Sequence, residues 1–133
     1  MNKIDAYLFF DGTCAEAMRF YQSVLGGKLD MVPASQSPGG SGDQIMHAHL
    51  DTADGAVMLA SDWMDQKPYP GKSGFSMTLS VTNISDGKRF FDQLAEGGQT
   101  TAPFGKTFFS EGFGMLIDRF GTPWMVMTEN AGS

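Results

Sequence analysis

The sequence predicts an α+β fold of two β-α-β-β-β modules, and three observations carry that reading. First, one helix pattern occurs twice: residues 13–25 are closed by Gly26-Gly27, and residues 83–96 by Gly97-Gly98. Second, superposing Arg19-Phe20-Tyr21 on Arg89-Phe90-Phe91 gives a single offset of 70 residues at which the apolar stripes coincide. Ala17, Phe20, Tyr21, Val24 and Leu25 stand against Gly87, Phe90, Phe91, Leu94 and Ala95. Each set follows i, i+3, i+4, i+7, i+8, which is one face of a 3.6-residue helix. Third, short β-type runs divided by turn residues recur in the same order around each helix.

Along the first module, residues 3–10 read as a strand ending at the turn Asp11-Gly12. In the helix, Thr13 and Glu16 have the spacing of a capping box, and Asn83 is a favourable N-cap for the second copy. Phe20 and Phe90 are expected at equivalent buried positions. Residues 28–32 form a short strand, and residues 33–44 a loop rich in Pro, Gly and Ser. Residues 45–51 and 56–61 make a hairpin around Asp54-Gly55. Residues 62–73 connect the modules, with Trp63 and Tyr69 expected to pin the connection down. In the second module, strands are expected over 75–81, 100–103, 106–110, 115–118 and 123–128. The chain reads as one domain over 1–133: module one about 1–62, a linker about 63–73, module two about 74–128.

Alternation in 75–81 is clear: Phe75, Met77, Leu79 and Val81 are apolar, while Ser76, Thr78 and Ser80 are small and polar. One face packs on the helix and the other sees water or a polar cavity. Carried over at the offset of 70, Ala6, Leu8 and Phe10 take the places of Ser76, Thr78 and Ser80.

Charge excludes one class of partner. The net charge of −6 and the absence of a basic patch argue against nucleic acid. No secretory leader or membrane-length apolar run is legible, so the expectation is a cytoplasmic protein without a membrane partner. A single cysteine fits a reducing compartment.

Several motifs resemble a known family. They are Tyr7-Leu8-Phe9-Phe10-Asp11-Gly12, Glu16-Ala17, Phe20-Tyr21, Met46-His47-Ala48, Leu79-Ser80-Val81, Gly97-Gly98, Gly105-Lys106-Thr107-Phe108, Phe113-Gly114-Met115 and Asp118-Arg119-Phe120-Gly121. The chain is similar to the PhnB-like branch of the vicinal oxygen chelate superfamily, with glyoxalase I, extradiol dioxygenases and bleomycin-resistance proteins. The resemblance implies a cupped mixed sheet, two half-cups around one cleft, and a homodimer. The free strand edges of each half-cup point to pairing as well.

Relatives that use a divalent ion hold it with His or Glu from the first and fourth strands of both modules. Here those positions fall on Ala6, Leu59, Ser76 and Met125, none a ligand of the required kind. Among the neighbours one residue away, only Asp5 could ligate. The reading is therefore a small-molecule-binding protein without metal or cofactor, its ligand-binding residues Ala6, Leu8, Phe10, Leu59, Ser76, Thr78 and Met125. The ligand implied is an uncharged or weakly polar organic molecule. The alternative is a lyase, isomerase or dioxygenase with an atypical metal near His47 and His49.

These two histidines lie two apart on one strand and share a face, with Asp51 beyond them. If Asp54 and Gly55 are the only central turn residues, the pair faces away from Leu59; a three-residue loop reverses this. Cys14 sits in a first helical turn, where the dipole favours a thiolate, but reads as an unreactive thiol. Gly105-Lys106-Thr107 lacks the glycine five residues earlier that a phosphate loop needs, and no helix follows it. Part of the branch is called methyltransferase-like; no glycine-rich strand-to-helix turn supports that chemistry. Phe108, Phe109, Phe113, Phe120 and Trp124 cluster late in the chain, mostly as core, with stacking on a planar ligand at a cleft mouth as the alternative for some of them. Glu111 is the one carboxylate placed to reach a cleft.

Overall fold

A computed structural model describes residues 2–36 and 42–129. The chain divides into two units, Met1–Gly71 and Lys72–Ser133. The first contains β1 (Tyr7–Phe10), α1 (Cys14–Leu25), β2 (Lys28–Pro33), a 3₁₀ turn (Ala34–Gln36), β3 (Ile45–Asp51) and β4 (Val57–Asp62). The second contains β5 (Met77–Val81), α2 (Ile84–Ala95), β6 (Gln99–Gly105), β7 (Phe113–Ile117) and β8 (Pro123–Thr128). Each is one four-stranded mixed sheet, ordered β1-β4-β3-β2 or β5-β8-β7-β6, with its helix on one face. The first and last strands of each module run parallel, and the remaining neighbours are antiparallel.

The helix faces are the cores. In the first unit, α1 buries Cys14, Ala17, Met18 and Tyr21 over Leu8, Phe10, Leu50, Met58 and Ala60. The Phe10 and Tyr21 rings lie 6.3 Å apart. In the second, α2 buries Gly87, Phe91 and Leu94 over Val81, Leu116, Trp124 and Val126. Each stripe thus centres one residue beyond the expected phenylalanine. Phe20 and Phe90 are equivalent but only half-buried, while Tyr21 and Phe91 go under.

The helix starts differ between the copies. Asn83 caps α2 as expected, its Oδ1 accepting the Asp86 N–H at 2.8 Å. Thr13 makes no side-chain cap bond, so the expected capping box does not form. The buried Asp62 carboxylate at the end of β4 serves α1 instead, accepting from Cys14 N–H at 2.9 Å and Ile45 N–H at 2.8 Å. Thr128 stands at the matching end of β8, and it ties down a turn: its Oγ1 accepts from Gly112 N–H at 2.9 Å.

The helices end on glycines with positive φ, Gly26 at 72° and Gly97 at 74°. A Cβ on the next residue, Gly27 or Gly98, would collide with the backbone carbonyl of Asp51 or Ile117, so the close approach to the sheet requires glycine. Strands expected at 100–103 and 106–110 are one bulged strand, β6, and a turn closed by Thr107 N–H to Ser110 C=O at 2.9 Å. Trp63 and Tyr69 pin the connection: the Tyr69 hydroxyl donates to Phe9 C=O at 2.7 Å, and Trp63 Nε1–H donates to Lys67 C=O at 2.8 Å.

Candidate functional site

The sheet face opposite each helix is open, and strand register decides which residues it carries. In the first module Asp30, His49, Leu59 and Tyr7 lie side by side across β2, β3, β4 and β1. His49 pairs with Leu59, so both histidines share the open face with it. The loop explains this. Thr52 N–H bonds Ala56 C=O at 2.9 Å, leaving the three-residue turn Ala53-Asp54-Gly55 between them. His49 Nε2 lies 3.1 Å from Asp51 Oδ1, and Tyr7 Oη lies 3.4 Å from His47 Nδ1. Phe9 continues the face, its ring edge-on to Trp63 with centroids 5.4 Å apart. Burial, and secondarily the charge of Asp11, pushes the Tyr69 hydroxyl above its ordinary pKa.

In the second module Thr78, Met125, Met115 and Ala102 lie in one row across the sheet; Ser80, Met127, Phe113 and Gly105 form the next. Met115, Met125, Met127 and Phe113 are half-buried, and Thr78 and Ser80 are exposed. Thr78 Oγ1 lies 3.9 Å from Met125 Sδ. Phe109 meets Phe113 edge-on at 5.0 Å. The face is therefore apolar with two hydroxyls along one side.

The expected ligand residues divide on this geometry. Leu59, Thr78 and Met125 lie on open faces, and Ser76 is a half-buried residue just ahead of β5, its Oγ 3.3 Å from the Met77 carbonyl. Leu8 and Phe10 do not: both are 1% exposed, on the face toward α1. The cause is a one-residue difference in the loops. Phe10 pairs with Asp62 and Val81 with Thr128 at matching ladder ends, so the first strands correspond at an offset of 71, not 70. Three residues separate β1 from α1, but only two separate β5 from α2. One residue of slip turns a strand over. Tyr7 and Phe9 take the open positions, and Ala6 is an exposed residue ahead of β1.

The other candidates resolve similarly. Cys14 is fully buried. Trp124 is core, its Nε1–H donating to the buried Asp118 carboxylate at 2.8 Å. Phe108 is fully exposed, and the Arg119 guanidinium lies 4.7 Å from the centre of the half-buried Phe120 ring. Glu111 lies 3.9 Å from Lys106 Nζ in an exposed turn. The sequence reading missed Tyr7, Phe9, Met115 and Met127 as open-face residues; correct strand pairing is the signal that finds them.

A family model for the Glyoxalase/Bleomycin resistance protein/Dioxygenase superfamily matches residues 3–126. The chain belongs to this superfamily. Protein YjdN of Escherichia coli (strain K12) is 33% identical to it over 138 residues, covering 92% of each chain. Protein PA1353 from Pseudomonas aeruginosa is 42% identical, with a TM-score of 0.91 over 97% of this chain and 98% of that one. The PhnB protein from Bacillus cereus is 25% identical, with a TM-score of 0.80 over 96% of this chain and 100% of that one. These matches identify a PhnB-like member of the glyoxalase superfamily.

The superfamily's metal positions can now be tested on this member. The corrected register moves the first-strand position of module one from Ala6 to Asp5, which has Lys3 Nζ at 3.8 Å. Module one then supplies Asp5 and Leu59, and module two Ser76 and Met125. Neither pair, a carboxylate with a leucine or a hydroxyl with a thioether, suits a divalent ion. Among the described residues, no group of three or more His, Cys, Asp or Glu side chains is placed to hold a metal. No helix among them is long and apolar enough to cross a membrane.

Proposed function

We propose that this superfamily member binds an uncharged or weakly polar organic molecule on the open face of its second sheet, without a metal. One observation carries the reading: Met115, Met125, Met127 and Phe113 form a half-buried apolar surface bordered by the Thr78 and Ser80 hydroxyls. Methionine side chains adapt to varied shapes, and two hydroxyls orient a ligand whose affinity comes from burial. We also infer a homodimer, since β1, β2, β5 and β6 are sheet edges. Light scattering giving about 14.4 kDa at micromolar concentration would contradict it.

The binding test uses protein labelled at its methionine methyls and titrated with 1-naphthol. The Met115, Met125 and Met127 signals should move, with the same affinity when a chelator is present. Met125→Glu should weaken binding roughly tenfold or more by placing a charge against the ligand. Loss of binding on chelation, or a retained divalent ion in protein purified without chelators, would favour the metal-dependent lyase, isomerase or dioxygenase near His47 and His49.

A further inference from the structure

The open face of the first sheet carries a polar pair that the second-sheet reading does not use. Tyr7 of β1 and His47 of β3 bring Oη and Nδ1 to 3.4 Å. Hydrogen bonds between nitrogen and oxygen ordinarily span about 2.7–3.2 Å, so each head satisfies the other weakly. Nε2 of His47 has no hydrogen-bond partner among the described residues, whereas His49 spends its Nε2 on Asp51 at 3.1 Å. The floor around the pair is apolar. Leu59 lies beside Tyr7, Val32 is opposite His47, and the Phe9 ring is 5.0 Å from that of Tyr7. Phe9 is 41% exposed, an open ring surface next to the polar pair. The flanking charges are acidic on balance: Asp30, Asp51 and the nearby Asp5 outnumber Lys28 and the Lys3 that pairs with Asp5, which disfavours an anion.

We propose that Tyr7 and His47 hold the carbonyl oxygen of an uncharged planar aromatic ligand whose ring stacks on Phe9. A carbonyl oxygen has two lone pairs. The Tyr7 hydroxyl donates to one and a ring N–H of His47 to the other, replacing the long contact with two shorter bonds. This site stands on residues separate from the methionine face, so either reading can fail alone.

The intact protein, carrying ¹⁵N and labelled histidine rings and methionine methyls, is titrated with acetophenone. Ethylbenzene supplies the same skeleton without the oxygen, and benzoate an anionic counterpart. The two indole N–H signals report and control. Trp63 sits 5.4 Å from Phe9, whereas Trp124 is buried on Asp118. Acetophenone should move the His47 and Trp63 signals and leave Trp124 in place. Ethylbenzene should bind roughly tenfold more weakly, as loss of a paired carbonyl predicts, and benzoate no better than ethylbenzene. Tyr7→Phe keeps the ring and should melt like the parent yet lose the preference for the oxygen, as should His47→Ala. Equal affinity for acetophenone and ethylbenzene overturns the proposal, and so does a preference that survives in Tyr7→Phe. A response confined to the Met115, Met125 and Met127 methyls overturns it too, while leaving the second-sheet reading intact.

Discussion

The two modules share a plan and almost none of its open-face chemistry. Both place one helix over a sheet ordered first-last-third-second, and both bring the chain off the helix through a glycine pressed against the sheet backbone. On the open faces the first module shows Tyr7, Phe9, His47 and His49, and the second Thr78, Ser80 and a run of methionines. The difference teaches where constraint lies. Buried stripes and backbone contacts determine the fold, so they persist through the repeat. The opposite face has no such duty and can diverge toward different ligand chemistry. The helix starts repeat the lesson on a smaller scale, since a donor-hungry N-terminus needs an acceptor, but Asp62 and Asn83 supply it from different places.

The largest effect should come from the shared core. Tyr21→Ala and Phe91→Ala should each cost about 3–5 kcal/mol in denaturant melts, while Phe20→Ala and Phe90→Ala, at half-buried positions, should cost about half that. Equal losses at all four positions would show that the stripes are not centred on Tyr21 and Phe91, and a marked difference between Tyr21→Ala and Phe91→Ala would break the equivalence of the two modules. A smaller effect separates the modules. Asp62→Ala leaves the Cys14 and Ile45 N–H groups without their acceptor and should cost about 2–4 kcal/mol. Thr128→Val at the matching position should cost about 1–2 kcal/mol, because Ser110 still reaches Gly112. A reversal of that order would show that the strand-end devices are not ranked as the buried donors suggest.

The smallest effect is one of pH. Arg89, bonding Asp86 Oδ1 at 3.0 Å, and then Asn83 hold the Asp86 carboxyl below its ordinary pKa. A depressed folded-state value means that its contribution is present above the unfolded value and lost as acid titrates through the folded one. Melting midpoints of Asp86→Asn should therefore fall less steeply than those of the parent as pH drops below about 4, and added salt should narrow the gap. Parallel acid limbs would remove the pair from the account of α2.

Much of this was legible beforehand. The repeat, the order of elements along the chain, the 45–51 strand, the Asn83 cap and the anchoring by Trp63 and Tyr69 all follow from sequence patterns. The open face of the first sheet was not legible, for two physical reasons. Tyr7-Leu8-Phe9-Phe10 is apolar throughout, so it lacks the alternation that Met77-Thr78-Leu79-Ser80-Val81 displays. The helix offset was then the only guide, and a helix can tolerate an extra residue in the loop before it without turning over, whereas a strand cannot. Asp62 escaped notice as a cap because it lies 48 residues from the N–H it accepts.

One packing detail bears on how such a chain can change over time. The tip of the Phe104 ring lies 2.8 Å from where a Cβ on Gly87 would stand and 2.6 Å from one on Gly112. Residues from a helix and from a turn are thereby held small by one side chain between them. Substitutions at the two are thereby coupled. A methyl group at either glycine would strike the Phe104 ring first, and a shorter residue at 104 would relieve the closest contact at both, leaving Val81 Cγ2 at 3.1 Å from the first and Thr128 Cγ2 at 3.3 Å from the second. The first module carries a methyl group, that of the buried Ala17, at the place of Gly87.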